Sequence, residues 1–174
     1  MTDPQPFQHA TPLPEHAPGA ILRCDSELIG VLVTHDWRRL IAIRPIAAGT
    51  RIFTLLGREY TKPTRHSVQI GENLHIDAVN KRDGQVSVRR YPYRFMDHAC
   101  DPTTIIRSRN VIARRDIEAG EAVTFNYNTT EYDMAEPFRC NCQSAMCVGI
   151  VRGARHLTPG QRALVEDWLA DYLR

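Results

Sequence analysis

Eight short apolar runs between residues 20 and 127 are the sequence feature that most constrains the fold. Each run has the length of a strand and is rich in β-branched or aromatic residues, and turn-forming residues separate the runs. The runs are AILRC, IGVLVT, LIAIRPI, RIFTLL, HSVQI, NLHID, RNVIARR and EAVTFNY. They predict a mainly β fold that is built from several small sheets.

The two ends of the chain differ from this β-rich middle. Residues 1–19 contain five prolines and few large apolar residues, which predicts a flexible arm. Residues 157–174 predict a C-terminal helix, with Thr158 as N-cap and Pro159 at the first helical position. Four-residue spacing gives this helix one apolar stripe, formed by Leu164, Val165, Trp168, Leu169 and Tyr172.

The composition narrows the class of protein. A chain of 174 residues is long enough for one domain and short for two. No apolar run reaches membrane-spanning length and no secretory signal is visible, so we expect an intracellular, cytoplasmic protein without membrane contact. Its five cysteines are then reduced thiols or metal ligands. The net charge of +2 gives no basis for direct nucleic-acid binding, and no feature predicts the oligomeric state.

Three closely spaced cysteines in FRCNCQSAMCVG predict a structural zinc site. Cys140, Cys142 and Cys147 form the pattern C-x-C-x4-C, and zinc requires four soft ligands in a tetrahedron. The alternative is three ordinary surface thiols. The fourth ligand has four candidates elsewhere in the chain: Cys24, Cys100, His98 and His156. Cys24 follows an apolar run, which favours a buried core thiol.

A second reactive cluster lies in RFMDHACDP, where Asp97, His98 and Cys100 fall within four residues. Three interpretations are open from these residues alone. They are a metal site, a Cys/His nucleophile pair, or a turn whose side chains have no shared chemistry.

Three segments taken together resemble the SET-domain methyltransferases that carry a post-SET zinc loop. The segments are RFMDHACDPTT, ARRDIEAGEAVTFNY and FRCNCQSAMCVG. The corresponding family motifs are R-F-I-N-H-S-C-x-P-N, then an x-D-I-x-x-G-E-E turn with a strand ending in the catalytic tyrosine, then C-x-C-x4-C-x-G. The resemblance implies a SET domain over residues 20–132 and a post-SET loop over 136–152. It also implies a pseudoknot that brings the first two segments side by side.

The resemblance further implies the chemistry of the site. S-adenosylmethionine is the methyl donor, and the usual acceptor is a lysine side chain that enters through a narrow channel. Tyr127 matches the catalytic tyrosine, which aligns acceptor and donor. His66 and Phe125, the latter on the same strand face as Tyr127, match the substrate channel. Cys100 matches the fourth zinc ligand. The matches on the cofactor side are Trp37, Arg94, Phe95, Asp97, His98 and Phe138.

Some residues depart from the family pattern. Trp37 and Arg39 stand where glycines let the family backbone approach the cofactor closely. Asp97 replaces a neutral asparagine and brings a negative charge near the donor. The region between REY and YPYRF is short, which leaves the methyl acceptor open between a protein and a small metabolite. A catalytically silent SET-like binding module is the third hypothesis.

Overall fold

A computed structural model of the chain describes residues 19–79 and 86–174, so the predicted arm lies outside it except for Gly19. These residues form short strands, four-residue or shorter in most cases, and very little helix. The strands are β1 (Ile21–Arg23), β2 (Ile29–Val33), β3 (Arg38–Ala42), β4 (Arg51–Thr54), β5 (Arg58–Tyr60), β6 (Val68–Gly71), β7 (Leu74–Asp77), β8 (Asp97–His98), β9 (Thr104–Arg107), β10 (Asn110–Ala113), β11 (Thr124–Phe125), β12 (Phe138–Arg139) and β13 (Ile150–Val151).

The strands pair into small sheets, which confirms the predicted mainly β fold. Three sheets have three antiparallel strands each, in the orders β1-β2-β3, β5-β7-β6 and β4-β10-β9. Two-stranded pairs join β8 to β11 and β12 to β13. Each of the eight apolar runs contributes one strand, but β3 begins and ends earlier than the run LIAIRPI. Pro45 in that run has no N–H to donate to a ladder, and Ile46 forms only an isolated bridge with Ile117.

One main core holds the sheets together. Its fully buried side chains are β-branched or leucine residues from different sheets, among them Ile29, Leu40, Leu55, Ile76 and Val111. Removal of this apolar surface from water is the main force that stabilises such short strands, because each sheet alone is too small to be stable.

The parallel pair β8–β11 brings two distant segments side by side. Asp97 is in register with Thr124, and His98 with Phe125. The segment RFMDHACDP therefore lies against the end of EAVTFNY, the juxtaposition that the resemblance implies. This pair positions the candidate site.

The C-terminal helix is shorter than predicted. The helix α1 covers only Pro159–Val165, and 3-10 turns at Glu166–Trp168 and Asp171–Leu173 follow it. Thr158 is the N-cap, as predicted, in a capping box with Gln161. The predicted C-terminal helix is confirmed, but its α-helical part ends at Val165 because tertiary contacts interrupt the hydrogen-bond ladder beyond it.

Those contacts come from the rest of the domain. The Arg107 guanidinium donates to the carbonyls of Trp168 and Leu169, at 3.1 and 2.7 Å. The Ala170 N–H donates to the Thr129 carbonyl at 2.8 Å rather than to its own helix. Leu164, which was assigned to the apolar stripe, is 58% exposed.

Candidate active site and metal centre

A cavity of about 280 Å³ lies where β8 and β11 meet the first residues of β6 and β12. Every residue that was assigned to the catalytic, cofactor and channel positions lines it. These residues are Trp37, His66, Arg94, Phe95, Asp97, His98, Phe125, Tyr127 and Phe138. Residues spread over a hundred positions of sequence therefore meet at one concave surface.

Tyr127 lies at the centre of this wall, just past the end of β11. It was expected on the strand itself, in line with Phe125, but it is the first residue of a 3-10 helix, Tyr127–Thr129. The two rings still stack at a centroid distance of 4.5 Å. The Tyr127 hydroxyl donates to the Met96 carbonyl at 2.7 Å. Burial raises the pKa of this phenol, so it stays protonated and its orientation is fixed by that bond.

His98 and Phe138 complete the aromatic surroundings of Tyr127. The His98 ring meets the Tyr127 ring edge-on at 5.2 Å, and Phe138 meets both of them at 5.8 Å. Edge-to-face contacts at these distances are favourable and restrict ring motion. The Tyr127 side chain is therefore held by the hydrogen bond of its hydroxyl and by contacts of its ring with the rings of Phe125, His98 and Phe138.

His98 connects Tyr127 to the cysteines. Its Nδ1 accepts from the Tyr127 backbone N–H at 3.1 Å, and its Nε2 lies 3.3 Å from Cys100 Sγ. Burial lowers the pKa of His98 to about 4, so the imidazole is neutral. Since Nδ1 accepts, the proton is on Nε2 and faces the sulfur.

The four predicted zinc ligands come together in the structure. The sulfur atoms of Cys100, Cys140, Cys142 and Cys147 all lie within 4.8 Å of one another. Cys100 Sγ and Cys140 Sγ are 3.8 Å apart. A zinc–sulfur distance of about 2.3 Å gives a tetrahedron whose edges are about 3.8 Å. The donor set and its dimensions therefore fit zinc.

The other candidates for the fourth ligand are excluded by their positions. Cys24 is buried in the main core, as predicted for a core thiol. His156 pairs with Asp133 at 2.9 Å, and His98 contacts only the outside of the cysteine group. Backbone N–H groups donate to two of the sulfurs. The Cys142 N–H donates to Cys140 Sγ at 3.4 Å, and the Val148 N–H donates to Cys100 Sγ at 3.5 Å.

Two of the departures from the family pattern contact each other beside the cavity, whose wall includes Trp37 and Asp97. Arg39 Nε donates to Asp97 Oδ2 at 2.6 Å. The Arg39 guanidinium also lies over the Trp37 ring, 4.2 Å from its centroid. A cation–π contact and an ion pair thus join the three residues.

Glu131 is a cavity residue that sequence reasoning missed. It follows Tyr127 by four positions in NTTEYD, and its buried carboxylate lines the same cavity. Its Oε1 accepts from the Gln69 backbone N–H at 2.7 Å. The only available signal was a lone acidic residue close after the catalytic-type tyrosine, and acidic residues are normally surface groups.

Comparison with known proteins identifies the family. The SET domain model matches residues 37–128. The methyltransferase flvH of Aspergillus flavus is 27% identical over 81% of this chain and 73% of its own length. The histone-lysine N-methyltransferase ash1 of Drosophila melanogaster is 31% identical over 63% of this chain. The chain belongs to the SET domain family, and these relatives support the predicted enzyme class, a methyltransferase.

Two further comparisons concern the fold and the share of a relative's length that this chain matches. The methyltransferase domain of human SETMAR superposes with a TM-score of 0.50 at 14% identity, covering 70% of this chain and 56% of that one, and supports the fold. The match spans only 6% of the length of ash1. No helix in residues 19–79 or 86–174 is both long and apolar enough to cross a membrane.

Proposed function

We propose that this SET-domain protein transfers a methyl group from S-adenosylmethionine to the amino group of a lysine side chain. One observation carries the proposal: the Tyr127 hydroxyl has a fixed orientation, and Tyr127 lies on a cavity lined by every residue matched to the catalytic, cofactor and channel positions. The histone-lysine methyltransferases among the relatives support the choice of acceptor.

The donor end of the cavity suits S-adenosylmethionine. Its walls combine the aromatic faces of Trp37 and Phe138 with polar groups, and Trp37 is 38% exposed. Aromatic faces attract cations and stack on nucleobases. Bound there, S-adenosylmethionine supplies a methyl group activated by a sulfonium charge. The residues that would hold it are Trp37, Arg94, Phe95, Asp97, His98 and Phe138.

The task of the protein in such a transfer is to hold the acceptor amine in line with the methyl group. Because the Tyr127 O–H is committed to the Met96 carbonyl, the oxygen lone pairs are left to accept an N–H from the acceptor. That bond would orient the amine. Phe125 is buried with its ring 4.5 Å from the Tyr127 ring, and it would line the passage on the acceptor side.

We also propose that the four cysteines hold a structural zinc ion. All four protein ligands of a closed tetrahedron are present, which is typical of a structural rather than a catalytic site. Through His98, which contacts both Cys100 and Tyr127, the metal loop would support the active tyrosine.

A small metabolite that carries an amine is the second candidate acceptor. The match to flvH spans 81% of this chain, against 63% and 59% for two histone-lysine methyltransferases, and its name specifies no protein substrate. The same cavity and the same tyrosine would serve both acceptors. Only the entrance to the channel would differ.

The experiment has two stages. Calorimetric titration of the purified protein with S-adenosylmethionine should show binding at micromolar ligand. Labelled donor is then offered with a panel of lysine-containing proteins and peptides, and separately with free L-lysine and simple alkylamines. Transfer to a lysine in the panel supports the first proposal, and transfer to small amines alone supports the second. Donor binding without transfer to any amine would contradict both.

A further inference from the structure

Glu131 is a cavity-wall residue whose carboxylate is unusually well buried. Its side chain is 8% exposed, yet it belongs to the cavity wall. The Glu131 carboxylate accepts a hydrogen bond from the Gln69 N–H, which belongs to β6. His66 and Ser67, the residues just before that strand, line the same wall. Glu131 therefore lies near His66 in the cavity wall, on the side that the proposed function assigns to the acceptor.

The charge of Glu131 is not neutralised by an arginine or lysine in the part of the chain that the structure describes. Of the other three acidic residues of the cavity wall, two are paired with an arginine and the third, Asp36, is exposed to water. Asp97 pairs with Arg39 at 2.6 Å, and Glu136 pairs with Arg65 at 3.2 Å. Glu131 is thus a buried carboxylate that lacks a permanent cationic partner.

Within residues 19–79 and 86–174, His75 is the only basic side chain at ion-pair distance from Glu131. It stays neutral. Its Nδ1 lies 4.0 Å from Glu131 Oε2, beyond hydrogen-bond distance. That Nδ1 is buried without a hydrogen-bond partner in the described chain, and burial lowers the pKa of His75. A neutral imidazole does not balance the carboxylate.

We propose that Glu131 binds the positively charged amino group of the methyl acceptor, so that the acceptor class is an alkylammonium. This inference rests on the proposed function and adds the residue that selects the substrate. A buried carboxylate is costly without a cation. A primary ammonium brings one positive charge and three donors with no acceptor. The Gln69 N–H and the Thr130 side chain use two of about four lone-pair positions on the carboxylate.

The protonation behaviour of Glu131 is consistent with this role. Burial raises the pKa of its carboxyl to about 7, so the empty cavity holds it partly protonated at neutral pH. An ammonium ligand favours the ionised form and lowers that pKa. The other titratable groups around it are His75, Tyr127 and Tyr172, and neither phenol ionises in this range because burial raises its pKa.

The test is binding of n-butylamine, which imitates the end of a lysine side chain, measured by calorimetry at pH 8 and pH 6. Glu131→Gln keeps an oxygen that can accept from the Gln69 N–H but removes the charge. We expect its affinity for n-butylamine at pH 8 to be at least about tenfold lower than that of the wild type. Asp133→Asn is the matched control, since Asp133 is a neighbouring exposed carboxylate outside the cavity wall. It should bind like the wild type.

The pH dependence separates charge recognition from a structural role. Wild-type affinity should fall about fivefold to tenfold from pH 8 to pH 6, as Glu131 takes up a proton, whereas the Glu131→Gln variant should show little change. If Glu131→Gln does not fold, the wild-type carboxyl is followed by NMR instead, and its pKa should fall when n-butylamine is added. 1-Butanol should not produce this shift.

Three results would overturn the inference. They are no binding of n-butylamine to the wild type, equal affinity in Glu131→Gln, and an unchanged Glu131 pKa in the presence of the amine. Failure of the proposed function looks different. In that case the wild type binds n-butylamine through Glu131 but transfers no labelled methyl group to any amine.

Discussion

Arg39 and Asp97, which are 58 positions apart in sequence, form an ion pair at the donor end of the cavity, with 2.6 Å between Nε and Oδ2. Each residue alone departs from the SET pattern, in which a glycine and an asparagine stand at these positions. Together they cancel each other's charge, and Trp37 stacks on the arginine. We therefore expect the two departures to act together rather than independently.

A double-mutant cycle on this pair tests the coupling. Arg39→Ala and Asp97→Asn should each weaken S-adenosylmethionine binding about fivefold, because each leaves one charge without its partner beside the donor. The double variant should bind no more weakly than either single variant, as calorimetry would show. If the loss of affinity in the double variant equals the product of the two single losses, the ion pair does not couple the two residues in donor binding. Asp25→Asn, in the exposed pair with Arg89, is the control and should not affect binding.

The same pair should matter little for stability. Both side chains are about 40% exposed, and half-exposed ion pairs contribute at most about 1 kcal/mol. We therefore expect the substitutions to change donor affinity more than stability.

Zinc content is the second prediction. Metal analysis of the purified protein should return about one zinc per chain, and Cys147→Ser should lose most of it because a three-ligand site binds zinc weakly. Cys24→Ala should keep the metal, since Cys24 lies in the main core. Metal-free protein with normal stability would contradict the site.

Chelation should also affect the donor end. Cys100 contacts His98, and His98 accepts the Tyr127 N–H, so loss of the metal releases both contacts. We expect donor affinity to fall about tenfold or more on chelation. Donor binding that is insensitive to chelation would show that the two sites are independent.

The third prediction concerns the C-terminal turns. The Tyr172 hydroxyl donates to the carbonyls of Gln69 at 2.6 Å and Thr130 at 3.0 Å, which ties the end of the chain to both flanks of Glu131. Tyr172→Phe should lower the free energy of unfolding by about 1–3 kcal/mol in urea, since it removes the hydroxyl donor from the carbonyls of two buried residues, Gln69 and Thr130. Leu164→Ala, at an exposed position, should change it by less than about 0.5 kcal/mol. Equal effects of the two changes would contradict this role.

The sequence predicted the parts of this fold that local patterns determine. Runs of β-branched residues such as IGVLVT become strands, and the capping residues Thr158 and Pro159 start a helix. The two-residue strands β8, β12 and β13 were missed, because so short a strand is defined by its partner and not by its own residues. The C-terminal helix is shorter than predicted for the same reason, since Arg107 competes for the carbonyls of Trp168 and Leu169.

The candidate site divides in the same way. The cysteines and Tyr127 stand in motifs with fixed spacing, and the structure brings the four cysteines together and places Tyr127 on the cavity wall. The Arg39–Asp97 pair and the Glu131 environment depend on contacts between residues about 60 positions apart. No local pattern in the chain encodes such contacts.

The fourth prediction is the pH dependence of stability that Glu131 produces. Burial raises the pKa of the folded-state carboxyl from its ordinary value of 4.5 to about 7. The folded state therefore holds a proton that the unfolded state has released, and stability is lost as pH rises from about 4.5 to 7. The loss is on the order of 3 kcal/mol. His75, with a lowered pKa, acts in the opposite direction below pH 6.5.

The comparison of wild type with Glu131→Gln isolates the carboxyl. Because both proteins contain His75, the difference in free energy of unfolding between pH 5 and pH 8 reports Glu131. Glu131→Gln should gain stability relative to the wild type as pH rises. A constant difference across this range would show that the carboxyl is not perturbed by burial.

The measurement that tests the central claim most directly is the rate of methyl transfer by Tyr127→Phe. The change removes only the hydroxyl that donates to Met96, so zinc content and donor binding should persist, with stability lower by about 1 kcal/mol. Transfer from labelled S-adenosylmethionine to an accepted amine should fall on the order of 100-fold, because the acceptor loses its alignment. Tyr132→Phe, on an exposed neighbouring ring, should transfer at the wild-type rate. Undiminished transfer by Tyr127→Phe would contradict the account.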